Sequence, residues 1–241
     1  MAPPDGHERT APAHRRGMLA RVRSHVRPGS FPTLLAASLV LYLLHAAAVE
    51  SETTEILTAL GRLSVLAACL YVLSADRLTL LLGAAVALLM AGFEFHVWPG
   101  GPWIGRILDD LLSCSFQIWV FVVVLREVFR RETSELDAVI GALGAFLLLM
   151  MMFMRVHALI EVLSPGSYVT QGPPLGLRSQ AELRSTFQYF STITLTTVGY
   201  GDIVPVSPTA RLAAAFEAIV GQLYLAVVVA TLVGRVAARR D

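Results

Sequence analysis

The chain has 241 residues, of which 55% are hydrophobic and 15% charged, a balance too apolar for a soluble domain of this length. Its formal net charge of +1 argues against a nucleic-acid partner, and all of its basic residues are arginine. Cys69 and Cys114 sit in apolar runs at different predicted depths, so no disulfide is expected, and no spaced Cys/His set marks a metal or cofactor site.

Residues 1–30 are rich in Pro, Gly, His and Arg and read as a cytoplasmic tail. Arg15, Arg16, Arg21, Arg23 and Arg27 precede the first apolar run and hold this end inside. The first predicted span covers residues 31–49, followed by an acidic stretch at 50–55 on the outside. The second covers 56–75 and carries Arg62 in its outer half. After a tight turn at Asp76 and Arg77, the third covers 78–97. Trp98 and Trp103 bracket a Pro/Gly turn at the outer interface, and the fourth span follows at 107–125. Arg126, Arg130 and Arg131 lie on its inner side. Ser134, three positions before Asp137, reads as a helix cap for a fifth span at 138–163. Met150, Met151, Met152 and Met154 in that span read as packing residues. His157 and Glu161, one turn apart near Arg155, read either as a structural pair or as a pH switch.

An outer loop at 164–178 is punctuated by Pro and Gly. Ser179 and Glu182 form a capping-box pattern that opens a helix of about fifteen residues, too short to cross a bilayer. It leads directly into Thr196-Thr197-Val198-Gly199-Tyr200-Gly201-Asp202. Ser207 and Pro208 then cap and open a last helix to about residue 236, with Arg235, Arg239 and Arg240 at its inner end. The arginine distribution places both termini in the cytoplasm of a plasma (inner) membrane protein.

The glycines at 199 and 201 permit backbone conformations closed to other residues, so successive carbonyl oxygens there can turn to one side. Such a strand between a half-length helix and a full span resembles the selectivity filter of the tetrameric potassium channels, with the match strong over residues 180–236. The expected fold is an all-α membrane protein of six transmembrane helices plus a re-entrant pore helix and filter loop. Its divisions are a tail (1–30), a four-helix sensor-like domain (31–131) and a pore domain (132–241). Carbonyls of Thr197, Val198, Gly199 and Tyr200, with the Thr197 hydroxyl, would replace the water around K+, and Gly201 completes the filter. The chain holds one such motif without an internal repeat, so three further copies are needed to encircle an ion. The carbonyl end of the short helix favours a cation at the pore centre. Membrane lipid and K+ are the other expected partners.

The resemblance implies that Asp202 lies behind the filter and bonds toward Tyr189, with Thr196 as the other flanking support; the alternative is an Asp202 facing outer water. Gly221 aligns with the family's hinge glycine, and close packing is its other reading. Leu225, Val229 and Val233 recur every four residues, as an inner constriction or as a lipid-facing row. Glu217 is an ionisable group in an apolar span, a candidate for gating or assembly or else a buried structural hydrogen bond. The voltage-gated relatives carry a basic residue at every third position of the fourth span. Here residues 107–125 contain no arginine and include Asp109 and Asp110 instead, so steep voltage sensing is not expected. The reading is of a passive potassium-selective channel, not an enzyme. Rival readings are a transporter, which would show internal repeats, and a non-conducting membrane sensor that keeps the filter letters.

Overall fold

The computed structural model describes residues 30–46, 52–73, 77–94, 101–130, 133–170, 175 and 180–238. In chain order these form α1 (Phe31–Ala46), α2 (Glu52–Leu73), α3 (Arg77–Glu94), α4 (Gly101–Val128), α5 (Glu135–Leu163), β1 (Tyr168–Thr170), α6 (Gln180–Leu195), β2 (Ile203–Pro205) and α7 (Pro208–Ala238). Residues 1–29 of the expected tail, residues 171–174 and 176–178 of the expected outer loop and Ser179 of the expected capping box lie outside the described residues.

Among the described residues three stretches are long and apolar enough to cross a membrane: Ile107–Val128, Glu135–Leu163 and Pro208–Leu232. Helices α1, α2 and α3 contain shorter apolar stretches, Phe31–Leu44, Leu60–Val72 and Leu80–Leu89. Two helix starts differ from the sequence expectation by four residues or more. Helix α2 begins at Glu52, within the stretch expected to be an acidic outer loop. Helix α4 begins at Gly101, so Pro102 and Trp103 of the expected turn are already helical, and proline is tolerated in a first turn because its missing N–H has no partner there.

Local chemistry sets the other ends. Ser134 Oγ accepts from the Asp137 N–H at 3.1 Å and so satisfies one free donor at the start of α5. Ser207 Oγ does the same for the Ala210 N–H at 3.2 Å, with Pro208 in the first helical position of α7. Helix α5 closes on a turn in which Gly166 takes φ +85°. The Glu161 carboxylate stabilises that turn by accepting from the N–H groups of Gly166 (2.8 Å) and Tyr168 (3.2 Å).

One apolar cluster joins the first helices to the last. It contains Phe31, Leu34 and Leu41 of α1, Cys69 and Val72 of α2, Phe116 and Val120 of α4, Leu148 and Met151 of α5, Leu195 of α6 and Tyr224 of α7. Met150, Met151 and Met154 are buried among helices, as packing residues are. Cys69 and Cys114 are both free. A second cluster, around Tyr168, Phe187, Phe190 and Ile203, lies beneath the short helix α6. Strands β1 and β2 pair antiparallel there, Val169 opposite Val204, and tie the loop after α5 to the segment after Asp202.

Candidate functional site

Helix α6 has 16 residues, about 24 Å at 1.5 Å per residue, which falls short of a ~30 Å hydrocarbon core. Its last turn runs straight into the glycine-bearing segment. The Thr196 N–H bonds the Thr192 carbonyl and the Thr197 N–H bonds the Thr194 carbonyl, both at 3.0 Å. The Ile193 carbonyl then accepts from two consecutive donors, Val198 N–H at 2.8 Å and Gly199 N–H at 3.0 Å. These donors face back into the helix end, leaving the segment's carbonyl oxygens for other partners.

Every second residue of the segment has positive φ: Thr197 at 62°, Gly199 at 52° and Gly201 at 78°. Alternating the sign of φ rotates successive peptide planes in opposite senses, which lets neighbouring carbonyls project to the same side. The two glycines reach this region without steric penalty. Thr197 does not: a β-branched residue there is an outlier that costs about 1–3 kcal/mol and persists only where its surroundings enforce it. Such strain clusters at functional sites.

Residues 196–201 are all exposed on the single chain, Val198 at 52% and Tyr200 at 73%. Asp202 is half-buried behind them, where it holds its own chain: Oδ1 accepts from the Ile203 N–H at 3.2 Å, with Tyr189 of α6 beside the same side chain. Thr196 Oγ1 donates to the Thr192 carbonyl at 2.6 Å.

The four-residue row on α7 divides. Leu225 and Val229 are exposed, at 42% and 56%, on the flank left open by α5 and α6. The side chain of Val233 lies outside the described residues. Gly221 faces the other way: a Cβ there would stand 2.5 Å from the Leu195 carbonyl oxygen and 3.2 Å from its carbon. The glycine therefore lets α7 approach the backbone at the foot of the segment, and α7 is helical on both sides of it.

Glu217 belongs to a buried polar chain that the sequence does not announce. Its Oε2 lies 2.8 Å from His157 Nε2, and its Oε1 is hydrogen-bonded to Ser191 Oγ of α6. On the other side of the imidazole, Nδ1 lies 2.6 Å from the Tyr168 hydroxyl. The His157 and Glu217 side chains have no solvent exposure. The rings of Phe190 and Tyr168 meet the imidazole edge-on at 5.0 and 5.6 Å. Burial, with Glu217 and Glu161 nearby, pushes the Tyr168 phenol above its ordinary pKa. His157 and Glu161, one turn apart in sequence, thus do not pair with each other: His157 meets the Tyr168 hydroxyl and Glu217, and Glu161 the N–H groups of Gly166 and Tyr168.

A second polar cluster joins α4 to α5 and α6. Arg155 Nη1 contacts Asp110 Oδ1 at 2.9 Å and Asp109 Oδ2 at 3.7 Å, and Arg184 Nη2 reaches Asp109 Oδ2 at 3.6 Å. The two aspartates found in place of an arginine ladder therefore anchor α4 to the helices around residues 196–202. One general signal pointed to both clusters. Charged groups inside apolar helices require mutual partners, and Asp110, Arg155, His157 and Glu217 are such groups.

Residues 178–238 match the family model described as "Ion channel". The chain is also similar to the voltage-gated potassium channel Kch of Escherichia coli (strain K12), with 32% identity over 102 residues. The similarity covers 42% of this chain and 22% of that relative, so the chain matches only a minor part of the relative's length. No solved structure matches. With three helices long and apolar enough to cross a membrane, these similarities mark an integral membrane protein and point to a channel rather than an enzyme.

Proposed function

We propose that the chain is one subunit of a homotetrameric, six-span, potassium-selective channel with both termini cytoplasmic. Residues 31–131 are its peripheral four-helix domain and 132–241 its pore domain. The observation that carries this reading is the backbone of residues 197–201. Its φ values alternate in sign, while the Val198 and Gly199 N–H groups turn back to the Ile193 carbonyl. A strand so arranged presents carbonyls of Thr197, Val198, Gly199 and Tyr200 toward one axis, and four copies around that axis replace the hydration shell of K+. Exposed non-helical backbone is not tolerated against lipid, only against protein or water, so the exposure of 196–201 on one chain calls for further copies around a wet path. The C-terminal end of α6 adds the negative pole of its dipole near the ion.

Ions move down their gradient, and the conducting chemistry needs no cofactor. Tyr189, Asp202 and Thr196 hold the strand from behind. Gly221 seats α7 against Leu195, and Leu225, Val229 and Val233 form the apolar inner row. Voltage sensing of the usual kind is not part of the proposal. The acidic residues of α4 are held by arginines of α5 and α6, and α4 has no arginine between residues 107 and 125 to move through the field.

The test is ion flux from liposomes holding the purified protein. K+-driven flux that stops when Na+ replaces K+, and is lost in Gly199→Asp, is expected. Flux that persists in Na+, or that is unchanged by Gly199→Asp, would remove the filter assignment.

A further inference from the structure

We propose that the buried chain Tyr168–His157–Glu217–Ser191 is a proton-controlled clamp on α6, in which one proton on Glu217 decides how the helix that carries the filter is tied to its neighbours. The inference rests on the conducting role proposed above.

Ser191 has one hydroxyl hydrogen and two acceptors within reach. One is the Met150 carbonyl of α5, at 3.1 Å, and the other is Oε1 of Glu217 on α7. An ionised Glu217 only accepts, so the hydroxyl hydrogen goes to it and the bond to α5 is given up. A protonated Glu217 donates to Ser191 Oγ, and the hydroxyl hydrogen is then free for Met150. In the proposed clamp the rest of the chain is the same in both states: across the 2.6 Å contact Tyr168 donates to His157 Nδ1, and across the 2.8 Å contact Nε2–H donates to Glu217 Oε2. The proton therefore acts at one place, and it decides whether α6 is tied to α7 alone or to α5 and α7 together.

The surroundings isolate the pair. The titratable groups against the imidazole are Tyr168 from β1 and Glu217 from α7. Helix α6 presents the rings of Phe187 and Phe190 to it, its Arg184 is engaged with Asp109, and its exposed Tyr189 lies beside Asp202. On α5 itself, Glu161 is bonded to the N–H groups of Gly166 and Tyr168, and Arg155 to Asp110. With the imidazole neutral, as proposed, an ionised Glu217 is a buried charge without a counter-charge, which is costly, and proton uptake relieves it.

The clamp reaches the filter by a short route. Ser191 lies two residues before Ile193, whose carbonyl holds the N–H groups of Val198 and Gly199. At its far end Tyr168 opens the strand paired with Ile203–Pro205, which leaves the filter. The protonated clamp holds both ends of the segment; the ionised one releases α6 from α5.

The experiment uses the full chain in liposomes. K+ flux is measured at stepped pH, and infrared spectra of the same samples follow the protonated carboxyl band. Wild type is compared with Glu217→Gln and Ser191→Ala. Flux is expected to fall as pH rises, by no more than about tenfold per pH unit for one proton. The carboxyl band should disappear over the same range. Glu217→Gln, whose amide donates to Ser191 at every pH, should give a flat flux profile and lack the band. Ser191→Ala should keep the band and flatten the profile. K+-selective flux with the wild-type pH profile in Glu217→Gln overturns the clamp alone. A spectrum without the band, the proton residing on His157 instead, also overturns it. No K+ flux at any pH overturns the conducting role and the clamp with it.

Discussion

The front and the back of α6 are held by different means. In front, residues 196–201 are shaped by backbone: alternating φ, two N–H groups on one carbonyl, and exposed side chains. Behind it, two clusters of buried side chains join elements far apart in sequence. Asp110 meets Arg155 across 45 positions, and His157 meets Glu217 across 60. The difference separates two jobs. On the proposed reading, the oxygens of the strand set one chemistry that substitutions behind it do not retune, whereas the side chains behind it set how firmly it is held. Substitutions at the back should therefore alter stability and gating before they alter which ion passes.

The largest effect expected from the back is at Arg155. Arg155→Met leaves Asp110 buried without its 2.9 Å partner, and breaking a buried pair by removing one member costs about 3–5 kcal/mol. Thermal unfolding of the purified protein in detergent should show a large loss of stability. Protein that still folds should keep the K+ selectivity proposed above. The paired replacement Arg155→Met with Asp110→Leu should recover much of the loss, since no lone charge remains. A single variant that folds with normal stability but passes Na+ would break the division between front and back.

Gly221 is where the two meet, because its missing side chain admits the Leu195 carbonyl at the foot of the filter segment. Two effects compete in Gly221→Ala. The helix gains up to about 1 kcal/mol in propensity. The new Cβ, 2.5 Å from a backbone oxygen, forces a shift whose overpacking cost is about 1–3 kcal/mol. The clash wins because the neighbour is backbone and cannot rotate away. The variant should be less stable in thermal unfolding and conduct less. A stabilised variant with altered opening kinetics would restore the hinge reading in place of the packing one.

The same contrast explains what the sequence disclosed. Glycines 199 and 201 and the caps at Ser134 and Ser207 are local devices, in which residue type and conformation are coupled within a few positions, so they can be read directly. The length of α6 follows from its distance to the next breaker. The β1–β2 pair could not be read, because three-residue strands inside a Pro/Gly-rich stretch carry no periodicity of their own. The polar clusters could be read only as debts: charges in apolar helices that require partners, with nothing in the linear order to say which. Hence His157 was read with Glu161, its neighbour on the helix, while the fold gives it Tyr168 and Glu217.

The smallest of these effects concerns Tyr168, the outer end of the buried chain, and its sign follows from proton linkage. Burial raises the phenol's pKa above the unfolded value near 10, so above that pH the folded state binds more protons than the unfolded one. The stability that the neutral phenol contributes is complete below pH ~10 and declines as pH rises toward the folded pKa. For one group the slope is at most about 1.4 kcal/mol per pH unit. The chain contains no lysine to titrate over the same interval, which leaves the other tyrosines and the two cysteines as background. Tyr168→Phe removes the titration along with the hydrogen bond to His157 Nδ1. Its unfolding temperature should be somewhat lower than wild type at neutral pH, and the gap should narrow between pH 10 and 11. A gap that stays constant across that interval would mean that Tyr168 is solvated rather than sealed behind the filter. The buried chain would then be open at its outer end.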